Sequence, residues 1–242
     1  DTGTITAPIQ GTIEFKNVSY TYEDTGIKAL SDISFSIPEG KTLAILGHTG
    51  SGKSTVLALL TRIHDIHTGQ ILIDNHHLKD YKLEHLRKNI SSVPQDPFLF
   101  SDTLKSNISF GKNQATEEEI IASAKQAAVH ENIEGFANKY DTILGERGIT
   151  LSGGQKQRVS IARALLKEAP ILLLDDCLSA VDTETEEKIL NNFKNVFKNK
   201  TTIIVTHRAS SAKNADQIIV LESGKIIEQG THAELIKHHG YY

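Results

Sequence analysis

Polar and apolar side chains alternate along residues 12–22, from Thr12 and Ile13 to Thr21 and Tyr22. A period of two predicts a strand with one buried face. Residues 29–37 alternate again until Pro38-Glu39-Gly40 breaks the pattern. With the polar turn Glu23-Asp24-Thr25-Gly26 between them, the two runs read as an antiparallel hairpin region. The pattern then changes. Thr42–Leu46 is a continuous apolar run ending in a glycine cluster, and a helical pattern covers Lys53–Leu60. Strand, glycine-rich turn and helix in that order open a βαβ unit. Residues 71–74 form a short strand closed by a histidine-rich turn.

Residues 100–165 read as mostly helical. Thr116 caps a helix whose first turn carries Glu117, Glu118 and Glu119, and Ile120, Ala124 and Ala127 mark its apolar face. Residues 152–167 form a second helix, entered through Gly153-Gly154. An apolar run at 171–174, a helix at 183–197 and an apolar run at 202–205 follow. Short apolar runs interleaved with helices predict a buried parallel sheet. Residues 217–221 and 225–228 form a closing hairpin, and Thr231 with Glu234 has the spacing of a capping box on a last helix.

With 38% hydrophobic residues among 242, the chain is long enough for a sizeable core. Its 26 Lys and Arg against 30 Asp and Glu leave a net charge of −4. That balance lacks the basic footprint of a protein that binds duplex nucleic acid or an anionic membrane surface. One cysteine excludes an intrachain disulfide and suits a reducing compartment. No apolar run approaches the roughly 18 residues of a membrane-spanning helix, and residues 1–10 lack the pattern of a secretory signal. The sequence does not begin with methionine, so the chain is expected to be a processed or excised piece; that does not account for the absence of internal methionine.

Candidate chemistry begins at Gly47-His48-Thr49-Gly50-Ser51-Gly52-Lys53-Ser54, which fits G-x-x-x-x-G-K-[ST]. Glycines let successive backbone N–H groups turn inward around an anion, and the following helix adds its positive end. Lys53 supplies a point charge for the outer phosphates, and Ser54 a hydroxyl for Mg²⁺. The bland alternative is a glycine-rich turn with a chance lysine, but the flanking strand and helix are the context the motif requires. Asp175 ends the apolar run 171–174. A carboxylate at that edge of an open α/β sheet lies where such sheets bind ligands and would hold Mg²⁺ through water. Read alone, it would be an ordinary strand-end aspartate.

Leu151-Ser152-Gly153-Gly154-Gln155, followed by Lys156-Gln157-Arg158 and the Asp175 run, resembles the signature motif of ABC-type ATPases. The order of the other elements agrees from about residue 12 to about residue 234. A phosphate loop alone leaves kinases, GTPases and helicases open. The resemblance implies an α/β fold: a P-loop NTPase core with a mixed or parallel sheet, an N-terminal antiparallel β subdomain, and a helical subdomain carrying the signature. It implies one ABC ATPase domain over residues 1–242, with the core and β subdomain at about 12–98 and 168–234 and the helical subdomain at about 99–167.

The resemblance also implies ATP and Mg²⁺ and assigns roles to residues. Residues Gly47, His48, Thr49, Gly50, Ser51, Gly52, Lys53, Ser54 and Thr55 hold the nucleotide, and Tyr22 stacks on adenine. Ser54, Gln95 and Asp175 serve the metal, and Gln95 also lies near the coupling surface. His207 contacts the γ-phosphate, while Ser179, Ala180, Val181 and Asp182 match the D-loop that crosses a dimer interface. In the family two domains pair head to tail, and each signature closes over the partner's γ-phosphate. Ser152 and the Gly153-Gly154 amides are therefore read as an anion site rather than a mere helix cap. The implied partners are a second nucleotide-binding domain, identical or not, and a transmembrane domain of the same polypeptide. Nucleic acid and direct membrane insertion of this domain are not expected. Residues 142–148 resemble the T-x-V-G-E-x-G segment of exporters with fused transmembrane domains, with Leu144 in place of Val. Glu146 would then face coupling helices, which puts the domain at the cytoplasmic face of a membrane. The ten histidines other than His207 are read as surface or turn residues, without a zinc-ligand spacing.

One departure stands out. The residue after the metal aspartate is usually Glu in this family and polarises the attacking water; here it is Asp176. The side chain is one methylene shorter, and an error near 1 Å can cost about 10²-fold in rate. Weakened hydrolysis is expected, as in the degenerate half of heterodimeric exporters; the opposing reading is that local backbone shifts let Asp176 reach the water. Two other classes are weighed. A soluble ABC ATPase of DNA repair or translation would need a coiled-coil insert or tandem domains, and the charge argues against it. A non-catalytic nucleotide sensor is kept open by Asp176.

Overall fold

The computed structural model describes residues 2–145, 151–238 and 240–242. In chain order the first elements are β1 (Ile13–Thr21), β2 (Lys28–Ile37), β3 (Thr42–Leu46), α1 (Lys53–Leu60), β4 (Thr68–Ile73), β5 (His76–His77), α2 (Leu83–Lys88) and β6 (Ile90–Val93). Next come α3 (Leu104–Ser109), α4 (Glu117–Gln126), α5 (His130–Glu134), α6 (Gly153–Leu166), β7 (Ile171–Asp175) and α7 (Thr183–Val196). The chain closes with β8 (Thr201–Val205), α8 (Ala209–Ala212), β9 (Gln217–Glu222), β10 (Lys225–Gly230) and α9 (His232–Leu235).

The chain divides into two compact units: residues 1–90, 170–175 and 197–242 form the first, and residues 91–169 and 176–196 the second. The first unit holds an antiparallel sheet in the order β2-β1-β4-β5 and the strands β10-β9-β3-β8-β7 of another. In the latter, β3 is parallel to both β8 and β9, β7 is parallel to β8, and β10 returns antiparallel to β9. Every residue of β3 is buried. Leu43 and Ile45 join one apolar cluster, while Ala44 and Leu46 join another with Ile218 and Val220. With both faces covered, Leu43–Leu46 are all apolar, which is why the sequence of the strand does not alternate.

The alternation expected through residues 12–22 breaks inside β1. Ile13 and Phe15 are buried, then Val18 and Tyr20. The phase shift falls between Phe15 and Val18, where the pairing with β2 is irregular and Asn17 has φ 49°. One extra residue in the strand returns the apolar set to the core face. Strand β4 starts earlier than the apolar run suggests, because Thr68 pairs with Ser19 and Gln70 with Lys16 across the ladder.

In the second unit α6 packs on α3 and α4, and α4 also meets α7. Arg163 of α6 organises the segment before it. Its guanidinium donates to the Phe98 and Asn107 carbonyls and lies 5.7 Å from the Phe100 ring and 5.8 Å from the Phe110 ring. Both α4 and α6 begin with capping boxes, Thr116 with Glu119 and Ser152 with Gln155.

Candidate functional site

Parallel register builds the site in the first unit. Ile45 of β3 pairs with Val205 of β8, and Val205 pairs with Asp175 of β7. The Thr206 N–H continues the ladder to the Ile45 carbonyl at 3.1 Å. The loop that starts at Gly47, the carboxylate of Asp175 and the segment carrying His207 therefore leave the same, C-terminal edge of the sheet.

The loop 47–52 is shaped by close approaches. A Cβ on Gly47 would lie 2.2 Å from the Leu221 carbonyl oxygen, and one on Gly52 would lie 2.5 Å from that of Ala29. Both glycines have positive φ, 149° and 103°, so side chains are excluded twice over. Gly52 caps α1 without a side-chain hydrogen bond, and the first turn carries no acidic residue. The helix thus starts with neither a side-chain cap nor an acidic residue against its positive end. Lys53 is 6% exposed, and its ammonium donates to the carbonyls of Gly47 and His48, both at 2.8 Å. The charge is held against the loop itself. His48, Thr49 and Gly50 are exposed, and the His48 ring meets Tyr241 edge to face at 5.0 Å.

Ser54 is exposed and donates its hydroxyl to Asp175 Oδ1 at 3.1 Å. Two hard oxygen donors from residues far apart in sequence converge, which is the donor chemistry Mg²⁺ takes. The pair fits the ion: Ser54 and Asp175 are the side chains that would hold it, and it would neutralise phosphate charge there. Thr55 is buried and shares a hydrogen bond of 3.0 Å with the Tyr22 hydroxyl. The Tyr22 ring stands edge-on to Tyr20 at 5.1 Å and to His64 at 5.4 Å. Tyr22 is half-buried and anchored to the helix that follows the phosphate loop; Tyr20 is the core member of the pair.

His64 was not singled out by sequence and belongs to this aromatic group. Two more histidines read as plain surface or turn residues have ring partners: His130 bonds the Tyr140 hydroxyl at 2.9 Å, and His232 that of Tyr242 at 2.7 Å. Their partners lie ten residues away, with no periodic signal to mark them.

The second unit gathers the remaining positions. Leu151 is buried, and Ser152 is the N-cap of α6. The Ser152 hydroxyl accepts from the Gln155 N–H at 3.2 Å, and Gln155 Oε1 accepts from the Ser152 N–H at 2.9 Å. Ser152 thus caps its own helix, and the glutamine of the motif is its reciprocal partner. Ser-x-x-Gln spacing could have shown this. Gly153 and Gly154 form the first turn of α6. Ser179 and Ala180 are exposed, Val181 is buried, and Asp182 accepts from the Thr185 N–H at 2.9 Å at the start of α7. That backbone bond, with the Thr185 side chain, holds the Asp182 carboxyl below its usual range. Asp176 is half-buried with φ 43°, a left-handed conformation that Asp tolerates better than most residues. Gln95 is exposed, and its carbonyl accepts from Gln157 Nε2 at 3.3 Å. His207 is exposed. Glu146 lies outside the described residues.

No helix among the described residues is long and apolar enough to cross a membrane. The family profile described as ABC transporter matches residues 30–179. An ATP-dependent lipid A-core flippase of Haemophilus influenzae (strain 86-028NP) is 46% identical over 244 aligned residues, covering 100% of this chain and 42% of the flippase. An uncharacterized ABC transporter ATP-binding protein of Bacillus subtilis (strain 168), YknU, is 50% identical over 97% of this chain and 40% of its own length. Among solved structures, a bacterial Atm1-family ABC exporter with ATP bound superposes with a TM-score of 0.93 at 41% identity, covering 98% of this chain and 41% of that one. The chain thus spans 40–42% of these relatives' length.

Proposed function

The chain belongs to the ABC transporter family as its nucleotide-binding part, and from that premise we propose that it binds MgATP and hydrolyses it to power export across a membrane. The observation that carries the reading is the convergence of the Lys53 loop, Ser54 and Asp175 at one sheet edge. The loop amides and the α1 end take the phosphates, Lys53 supplies the charge, and Tyr22 takes the adenine. His207 neutralises the γ-phosphate, and Asp176 orients the attacking water. By the family resemblance, Gln95 would serve Mg²⁺ or the attacking water and the coupling surface.

On the same premise, two such domains close head to tail around ATP. The Ser152-Gly153-Gly154 turn of one faces the phosphate held by the other, and the Ser179–Asp182 turn lies at the contact. Glu146 and Gln95 face the transmembrane part of the polypeptide, with the domain at the cytoplasmic face. The ATP-dependent flippase and ATP-bound exporter among the relatives support this reading of the branch.

A second reading rests on one residue. With Asp176 at the usual Glu position, this chain serves as the weakly hydrolysing half of a heterodimer and lends its signature to a competent site on its partner. Substituting Lys53→Ala tests the common premise of both readings. ATP binding followed by calorimetry should weaken at least about 100-fold, because the loop loses its only side-chain ammonium for the outer phosphates. Affinity within a few fold of wild type would remove the assignment.

A further inference from the structure

The strongest connection that the motif roles leave unused is the side chain of Gln157. It lies one turn into α6, past the signature, and is 2% exposed. Its Oε1 accepts from the Ala180 N–H at 3.1 Å. Its Nε2 faces both the Ser179 hydroxyl and the Gln95 carbonyl, each at 3.3 Å. The Ala180 N–H can only donate, so the orientation of the amide is fixed by its partners. One buried side chain therefore touches the main chain at Gln95 and the turn at Ser179 and Ala180, 62 and 22 or 23 residues away.

Packing leaves this turn little freedom of its own. A Cβ on Gly154 would lie 2.8 Å from the Ala180 carbonyl oxygen, so the first turn of α6 and the Ala180 backbone are in direct contact. Val181 beside it is buried, and Asp182 is tied to Thr185 at the start of α7. The next residue of α6, Arg158, donates to Asn132 Oδ1 at 2.8 Å and to the Ala128 carbonyl, which fastens the helix to α5 and the segment before it. Between the loop at Gln95 and the turn at Ser179, the Gln157 amide is a short polar link set in a packed surrounding.

We infer that Gln157 is a positioning residue: its amide couples the loop at Gln95 to the turn at Ser179–Ala180, so that a shift of either is passed to the other. The inference rests on the proposed ATP-dependent function, because that function gives the two loops their tasks at the metal and at the domain contact. A buried amide bonded at both ends resists the displacement of either loop, since a broken bond leaves a desolvated polar group without a partner. A leucine at this position has similar bulk and none of these bonds.

The test is a mutant cycle on the full chain, with Gln157→Leu, Ser179→Ala and the double variant. Binding of MgATP, steady-state kcat and KM, and the thermal midpoint are all measured. Gln157→Leu is expected to leave the ATP dissociation constant within about twofold and to lower kcat about tenfold, with KM little changed. The double variant is expected to be no slower than Gln157→Leu alone, because both substitutions cut one link. Gln157→Glu keeps the acceptor for Ala180 and removes the donor to Gln95. If the leucine variant does not fold, the glutamate variant is expected to show the same split of kcat from ATP affinity. A kcat within twofold of wild type, independent multiplication of the two single effects, or parallel loss of ATP affinity and kcat would overturn the inference. Wild-type protein that binds no MgATP would instead sink the function on which it rests, so the two failures are distinguishable.

Discussion

At the scale of the residue, the proposed function makes Asp176 the position that sets how fast the site turns over. Its carboxylate has the charge that water activation requires, and its left-handed backbone is one that Asp accepts. What it lacks against the usual glutamate is one methylene of reach. Because positional errors near 1 Å cost about 10²-fold, Asp176→Glu is expected to raise kcat by about tenfold or more while leaving ATP affinity unchanged. Steady-state ATPase assays of the two proteins check this, and a flat or lower kcat contradicts the account of reach. Cys177 next to it is 3% exposed and packs as a small apolar residue.

At the scale of the element, local chemistry explains where helices start and how their ends are fixed. Helix α5 and the turn Lys139–Asp141 are joined by the His130–Tyr140 hydrogen bond. Burial, with Glu134 and Glu131 nearby, pushes the Tyr140 hydroxyl up to about 12. An unfolded tyrosine ionises near 10, so the folded state holds this proton more tightly. The resulting stability is fully present below pH 10 and is lost as pH rises from 10 through 12. Denaturant midpoints measured across that window should fall more steeply for wild type than for Tyr140→Phe; equal slopes would show that Tyr140 does not carry the effect.

Elements also show what a sequence can carry by itself. Helix α1 was legible to the residue, because a glycine cluster and a lysine mark its start. The apolar runs Leu43–Leu46 of β3 and Ile171–Leu174 of β7 were legible because every residue in them is buried. Pairing of Ser54 with Asp175 followed from motif order, although 121 residues separate them. By contrast, the bulge at Asn17, the His64 ring among Tyr20 and Tyr22, and the Gln157 link depend on contacts across the fold, and nothing periodic in the chain announces them. The Ser152–Gln155 box was legible in the Ser-x-x-Gln spacing.

At the scale of the whole molecule, the chain crosses between its two compact units at Asp175 and Asp176, so adjacent acidic residues serve different bodies. Asp175 closes a buried strand of the first unit beside Ser54, while Asp176 begins the segment that carries Ser179, Ala180 and α7 in the second. A ligand gripped in the first unit stabilises that body by mass action, by about 2.7 kcal/mol at 100 times its dissociation constant.

The most direct measurement is a calorimetric titration of ATP into the complete chain, with Mg²⁺ and then with excess chelator, for wild type and for Ser54→Ala combined with Asp175→Asn. Wild type should bind ATP more tightly with Mg²⁺ than without it, and the double variant should lose that difference while keeping the binding supplied by Lys53 and the loop. Absence of ATP binding by wild type, or a magnesium effect of equal size in the double variant, would contradict the claim that Ser54 and Asp175 form the metal side of a nucleotide site.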